Sequence, residues 1–180
     1  MFLFRLPLLG QGGDNMLRPL HIEYMGYAAA TTGGVSFMVA MDVPKGRFPD
    51  IKDGAAVLNI VAPLRRKSLT YSVVSRMVSA TGVTHYGEQV KLSREERQAI
   101  DKWTKENGIR KQADEIAAKF ESAREYYFDI CEQLNKIYNE KKVPDNLDEM
   151  IAQNKEIAEL QKKAEEANKR MEELRDIKLV

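Results

Sequence analysis

Two histidines, one cysteine and one run of three adjacent cations are the residues of this 180-residue chain whose types could carry chemistry. His21 and His85 have no His-x-Glu or His-x3-His partner, and Cys131 is remote from both. A zinc site or a Cys–His nucleophile needs ligands or a base within bonding reach, usually announced by short local spacing. No such spacing is present, so neither metal nor cofactor is expected, and an enzyme is the least expected class. Gly10-Gln11-Gly12-Gly13 lacks the preceding strand and following helix of a phosphate-binding loop. Carboxylates are plentiful but interleave with lysine and arginine. Pairs such as Glu156 with Lys163, Glu159 with Lys163 and Glu165 with Lys169 read as solvated helix flanks. Cys131 lies between Ile130 and Glu132 and reads as a partly buried, inert thiol. As a lone cysteine it forms no internal disulfide and fits a reducing compartment.

The cations are Arg65, Arg66 and Lys67, with Arg76 further on. The stretch Leu69-Thr70-Tyr71-Ser72-Val73-Val74-Ser75-Arg76-Met77-Val78 has two readings. As a helix, Leu69, Val73, Val74, Met77 and Val78 make one face, with Ser68 as N-cap and Gly82 as stop. Thr70, Tyr71, Ser72, Ser75 and Arg76 then lie near the exposed side, as in a recognition helix. As strands, residues 68–80 and 83–92 pair around Thr81-Gly82, and the β-branched content favours this reading. The helical reading is similar to the second helix of lac-repressor-type regulators, and Val90-Lys91-Leu92-Ser93-Arg94-Glu95-Glu96-Arg97 is similar to the opening of their next helix. Pro63 and the segment 83–88 depart from that pattern. The resemblance implies a helix-turn-helix DNA-binding regulator with Arg65, Arg66, Lys67, Thr70 and Arg76 as nucleic-acid contacts. The plainer reading is a half-buried amphipathic element beside a solvated turn. The formal net charge is +1, well short of the footprint of a dedicated nucleic-acid binder. Its halves differ: residues 1–92 carry ten Lys/Arg and six Asp/Glu, and residues 93–180 carry eighteen and twenty-one.

The elements that must position these residues are clearest in the second half. One apolar ladder runs Ile109, Ala113, Ile116, Phe120, Ala123, Tyr127, Ile130, Leu134, Ile137. A second runs Met150, Ile157, Leu160, Ala164, Ala167, Met171, Leu174, with Gln153 in one apolar slot. A period of about 3.5 residues places each set on one seam of a helix. A short polar connection containing Pro144 separates them. Ser93 and Glu96 form a capping box, Asn107-Gly108 a C-terminal stop, and Asn146 with Glu149 a second cap. Helices are therefore expected at about 94–106, 109–139 and 146–176. The two ladders are expected to fold back as an antiparallel coiled-coil hairpin, within one chain or between two.

The first half is compact and irregular. Residues 1–15 read as a translated leader, because Gly12-Gly13-Asp14 upstream of Met16 can encode a purine-rich ribosome-binding sequence. That points to a bacterial or phage protein; N-terminal sequencing of natively expressed chain decides it. Gly33-Gly34, flanked by aromatic and β-branched residues, signals a hairpin. The rival is a membrane helix from Met25 to Val43, barely long enough and interrupted by Thr31, Thr32, Gly33, Gly34 and Ser36. Residues 55–62 are a short apolar run of either type, preceded by an Asp53-Gly54 turn.

The expected architecture is α+β: a small N-terminal β-containing module over residues 16–92, followed by the helical region 93–180. The expected role is a non-enzymatic protein–protein interaction or assembly protein that pairs with a protein partner or itself through the helices. The lone cysteine points to a cytoplasmic setting, or a virion-associated one for a phage-encoded chain, with membrane anchoring through Met25–Val43 as the rival. The alternatives are the dimeric DNA-binding regulator and, less expected, a membrane-anchored subunit of a larger complex.

Overall fold

The computed structural model describes residues 16–28, 33–45, 47, 55–139 and 144–179. The leader reading, the tip of the first hairpin, the Asp53-Gly54 turn and residues 140–143 of the connection before α3 fall outside them. The chain is α+β: one six-stranded antiparallel sheet and three helices. Five strands come first: β1 (Arg18–Ala28), β2 (Gly34–Asp42), β3 (Ala55–Pro63), β4 (Thr70–Val78) and β5 (Thr84–Gln89). Then follow α1 (Arg94–Glu106), α2 (Ile109–Asn139), α3 (Leu147–Arg175) and the two-residue β6 (Ile177–Lys178). The spatial order β5-β4-β3-β2-β1-β6 is a meander closed at the β1 edge by the returning chain.

Period-two patterning builds the sheet. Val35, Phe37, Val39 and Met41 of β2 share one face with Ala56, Leu58, Ile60 and Ala62 of β3, in register as Phe37↔Ile60 and Val39↔Leu58. Ile100 of α1, then Ile109, Ala113, Ile116, Ala117, Phe120 and Ala123 of α2, and Met171 of α3 complete the same buried cluster. Burying each large apolar side chain there contributes about 1.5–3 kcal/mol. The cluster draws on both the strand-rich and the helical regions of the chain. The first half of the α2 ladder therefore covers the sheet. Further along, α2 and α3 pack on one another, burying Ile130 and Leu160.

Each helix starts or stops where local chemistry dictates. The Ser93 hydroxyl accepts the Glu96 N–H at 3.1 Å, while Glu96 accepts the Ser93 N–H at 2.8 Å. Gly108, at φ +58°, takes the left-handed turn between α1 and α2 that a side chain would resist. Asn146 caps α3 by accepting the Glu149 N–H at 2.9 Å.

Two expectations are corrected. Residues 70–78 are strand β4, hydrogen-bonded on both sides, and the β4–β5 turn carries Gly82 at φ +80°. Ser68 caps no helix, so the helix-turn-helix reading loses its recognition element. β-Branched Thr70, Val73, Val74 and Val78 prefer the pleated, half-buried surface they occupy. The stretch from Met25 to Val43 supplies the end of β1 and all of β2, paired as Met25↔Phe37 and Tyr27↔Val35, so it is not a membrane helix. Among the described residues no helix is long and apolar enough to cross a membrane.

Two close approaches fix the end of α3 against β1. Tyr24 donates its hydroxyl to the Arg175 carbonyl at 2.7 Å. Gly26 leaves room for that same carbonyl, which any Cβ would overlap. Ile177 and Lys178 then pair with Met25 and Tyr24, and the Leu179 N–H reaches the Glu23 carbonyl at 3.0 Å.

Candidate functional site

The sequence-marked cations separate into two places. Arg65, Arg66 and Lys67 lie in the exposed β3–β4 loop, and Thr70 begins β4, also exposed. Arg110 of α2 holds the loop: its Nη1 donates to the Pro63 and Arg66 carbonyls, both at 2.9 Å. Its Nη2 meets Asp114 at 2.7 Å. The loop backbone is thus tied down while its three cationic side chains remain exposed. No ion pair engages Arg65, Arg66 or Lys67 among the described residues.

The same loop walls an open groove of about 1120 Å³. Lys67 and Leu69 form one side, Asp101, Thr104 and Lys105 of α1 another, and Arg110, Lys111, Asp114 and Glu115 of α2 the third. Arg110–Asp114 and Lys111–Glu115 are ion pairs along α2. Lys67 and Lys105 have no carboxylate partner among the described residues. A second groove of about 520 Å³ carries Tyr71, Ser72, Gln89, Lys91 and Arg97. Tyr71 of the second groove is near Asp101 of the first; burial, reinforced by that carboxylate, raises the Tyr71 phenol above its ordinary value. Sequence spacing did not mark Lys105, Arg110 or Arg97. Only the Asn107-Gly108 stop signals the corner that folds the start of α2 beside the end of α1.

Arg76 is elsewhere and is engaged. From β4 it makes a bidentate bridge to Glu23 of β1, at 2.6 and 3.0 Å. Hydrogen bonding to Glu23 holds its guanidinium pKa above the ordinary value. β2 and β3 lie between these strands. At the usual strand spacing, three steps span roughly 14 Å, so side chains meet only because the sheet coils. The Tyr86 hydroxyl of β5 similarly contacts the Met38 sulfur of β2 at 3.7 Å. The face away from the helices is therefore concave.

The ladder residues also divide. Ile109, Ile116 and Phe120 belong to the sheet core; Ile130, Leu160 and Met171 are buried; Tyr127, Leu134, Ile137, Ile157 and Leu174 are half-buried. Met150 stays 44 % exposed, so it departs from the buried seam expected of it. Beyond the sheet, Tyr126, Phe128, Tyr138, Leu147 and Ile151 each expose half or more of their surface. Tyr127, Cys131 and Tyr138 prolong the line of Phe120 at steps of seven, four and seven, so the sheet-facing side of α2 continues where no strand covers it. Cys131, four residues on along α2, raises the Tyr127 phenol pKa.

His21 and His85 are exposed on β1 and β5, and no cluster of three potential metal ligands occurs among the described residues. Comparison with known proteins returned no matching family model, no matching curated protein and no matching solved structure.

Proposed function

We propose that this is a non-enzymatic assembly protein of bacterial or phage origin, cytoplasmic or virion-associated, whose α2–α3 pair is an antiparallel coiled-coil arm for a protein partner. The sheet anchors the arm's base and leaves its outer half to meet that partner. One observation carries the reading: Tyr138 near the end of α2, and Leu147, Met150 and Ile151 in the first turns of α3, are large apolar side chains left in water. Isolated exposed apolar residues are ordinary, but a cluster at one end of a projecting element marks an interaction surface. Charge supports it. On α3, Leu147, Met150, Asn154, Ile157 and Gln161 form an uncharged strip by helical periodicity, while Lys155, Glu156, Glu159 and Lys163 lie off it.

The first partner to test is a second copy of the chain. Light scattering on the eluting full-length protein should give a discrete oligomer, and the double variant Tyr138→Lys/Ile151→Lys should give a monomer with unchanged helix content. A monomeric parent protein would remove self-association and direct the search to another protein.

A second reading, nucleic-acid binding, is favoured by the unpaired cations of the β3–β4 loop; with residues 70–78 a strand, it needs a different surface from a recognition helix.

A further inference from the structure

We infer that the two grooves beside α1 form a binding track for the phosphodiester backbone of a nucleic acid, at the base of the arm and independent of what its outer half holds. The cations come from four places in the sequence. Arg65, Arg66 and Lys67 stand on the loop, Lys105 near the end of α1, Lys111 on α2, and Lys91 with Arg97 at the far groove. All seven side chains belong to exposed residues.

The carboxylates along this path are Asp101, Asp114 and Glu115. Asp114 and Glu115 are matched by Arg110 and Lys111 on their own helix, whereas Asp101, beside the neutral Tyr71 phenol, keeps its charge. Discounting Lys111 with its partner, Lys67, Lys105, Lys91 and Arg97 line the grooves, with Arg65 and Arg66 on the adjacent loop, against the one unmatched carboxylate of Asp101, so the track is positive although the whole chain is nearly neutral. Local charge, rather than net charge, determines where a polyanion settles.

The geometry favours an extended polyanion over a single phosphate. A single phosphate is held by several donors converging on one point, often with one of them buried. Here the cations are spread over two open grooves, and Tyr71, Ser72 and Gln89 line the second beside Lys91 and Arg97 with flat or hydrogen-bonding groups. A strand with one charge per repeat and a base attached to each repeat matches that alternation. Arg110 adds preorganisation: by pinning the Pro63 and Arg66 carbonyls it fixes the loop before any ligand arrives.

Fluorescence anisotropy with labelled single-stranded and duplex oligonucleotides tests this on the full-length protein across a salt series. Binding should weaken with salt at a logarithmic slope of about −3, corresponding to roughly four neutralised phosphates. Lys67→Ala/Lys105→Ala should weaken binding about tenfold and flatten the slope by about 1.5. Lys155→Ala/Lys162→Ala on α3 removes the same charge away from the grooves and should leave affinity within about twofold of the parent. Circular dichroism confirms that both variants fold. Absence of binding at low salt overturns the inference. So does equal weakening by the α3 variant, which would mean diffuse charge attraction. Displacement of the oligonucleotide by low concentrations of inorganic phosphate would reassign the groove to a small anion, and tighter binding of a polyglutamate peptide would reassign it to an acidic protein; either result also overturns it.

Discussion

The buried carboxylate of Glu96 accepts the backbone N–H of Leu17 at 3.0 Å, from a residue 79 positions away in the chain. Its other oxygen takes the Ser93 N–H at 2.8 Å and the Arg47 guanidinium at 3.3 Å. A residue whose local task is to cap α1 therefore also fastens the segment before β1 and the loop after β2. With only 2 % of its surface exposed, none of these donors is readily replaced by water. Glu96→Ala should cost about 2–4 kcal/mol, because it strands the buried Leu17 N–H and removes the partner of two partly buried donors, Ser93 N–H and Arg47. Glu96→Gln keeps the shape and loses the charge, so it should cost less. Urea unfolding of both variants checks the order; equal and small losses would mean that the hub is not structural.

Tyr27 stacks on Phe120 at 3.9 Å between centroids and donates its hydroxyl to Glu121 at 2.7 Å. Burial, then the Glu121 bond, pushes its phenol up to about 12. The neutral form is the favoured folded form. The resulting stability is fully present below the ordinary tyrosine value of about 10 and is lost as pH rises from there toward about 12. Spectrophotometric titration should show one tyrosine ionising about two units late, and Tyr27→Phe should remove it. Seven tyrosines titrating together in parent protein would contradict the packing.

Gly26→Ala places a methyl group on the Arg175 carbonyl. The expected result is a loss of about 1–3 kcal/mol, with faster amide exchange at Leu179, whose N–H is bonded to Glu23. If Leu179 keeps its protection, the end of α3 is not held at this crossing.

Gln153 is half-buried in the ladder slot where an apolar residue is expected. Gln153→Leu should raise the melting temperature by several degrees, as about 1 kcal/mol does for a domain of this size, and loosen oligomeric specificity. An unchanged melting temperature would place Gln153 outside the seam.

Much of the α+β architecture was legible because its signals are local. Ser93 with Glu96, Asn107 with Gly108, and Asn146 with Glu149 mark helix ends through contacts within a few residues. Residues 70–78 were ambiguous because Leu69, Val73, Val74, Met77 and Val78 satisfy a helical face as well as a strand; pairing with β3 and β5 settles them, and pairing is non-local. The same limit hid that Phe120 serves the sheet, since a heptad position shows which residues share a side, not what lies opposite. The grooves were least legible. Arg97 and Lys105 come from α1 and Lys67 from the β3–β4 loop, and only the packing of that loop beside α1 places them along the grooves. Arg76 stood out in the sequence as a contact residue, yet its partner Glu23 is 53 positions away.

The short strand β6 has a kinetic consequence. β1 can pair with β2 as soon as the first hairpin exists, but its other neighbour lies beyond all three helices, with Tyr24 and Arg175 separated by 151 positions. Loop closure over such a distance is slow relative to hairpin formation. Until the chain returns, the outer edge of β1 is an unpaired rim open to any neighbouring molecule. Dilute refolding, or prompt capture of that rim, would govern how much active material is recovered, more than the stability of the finished fold.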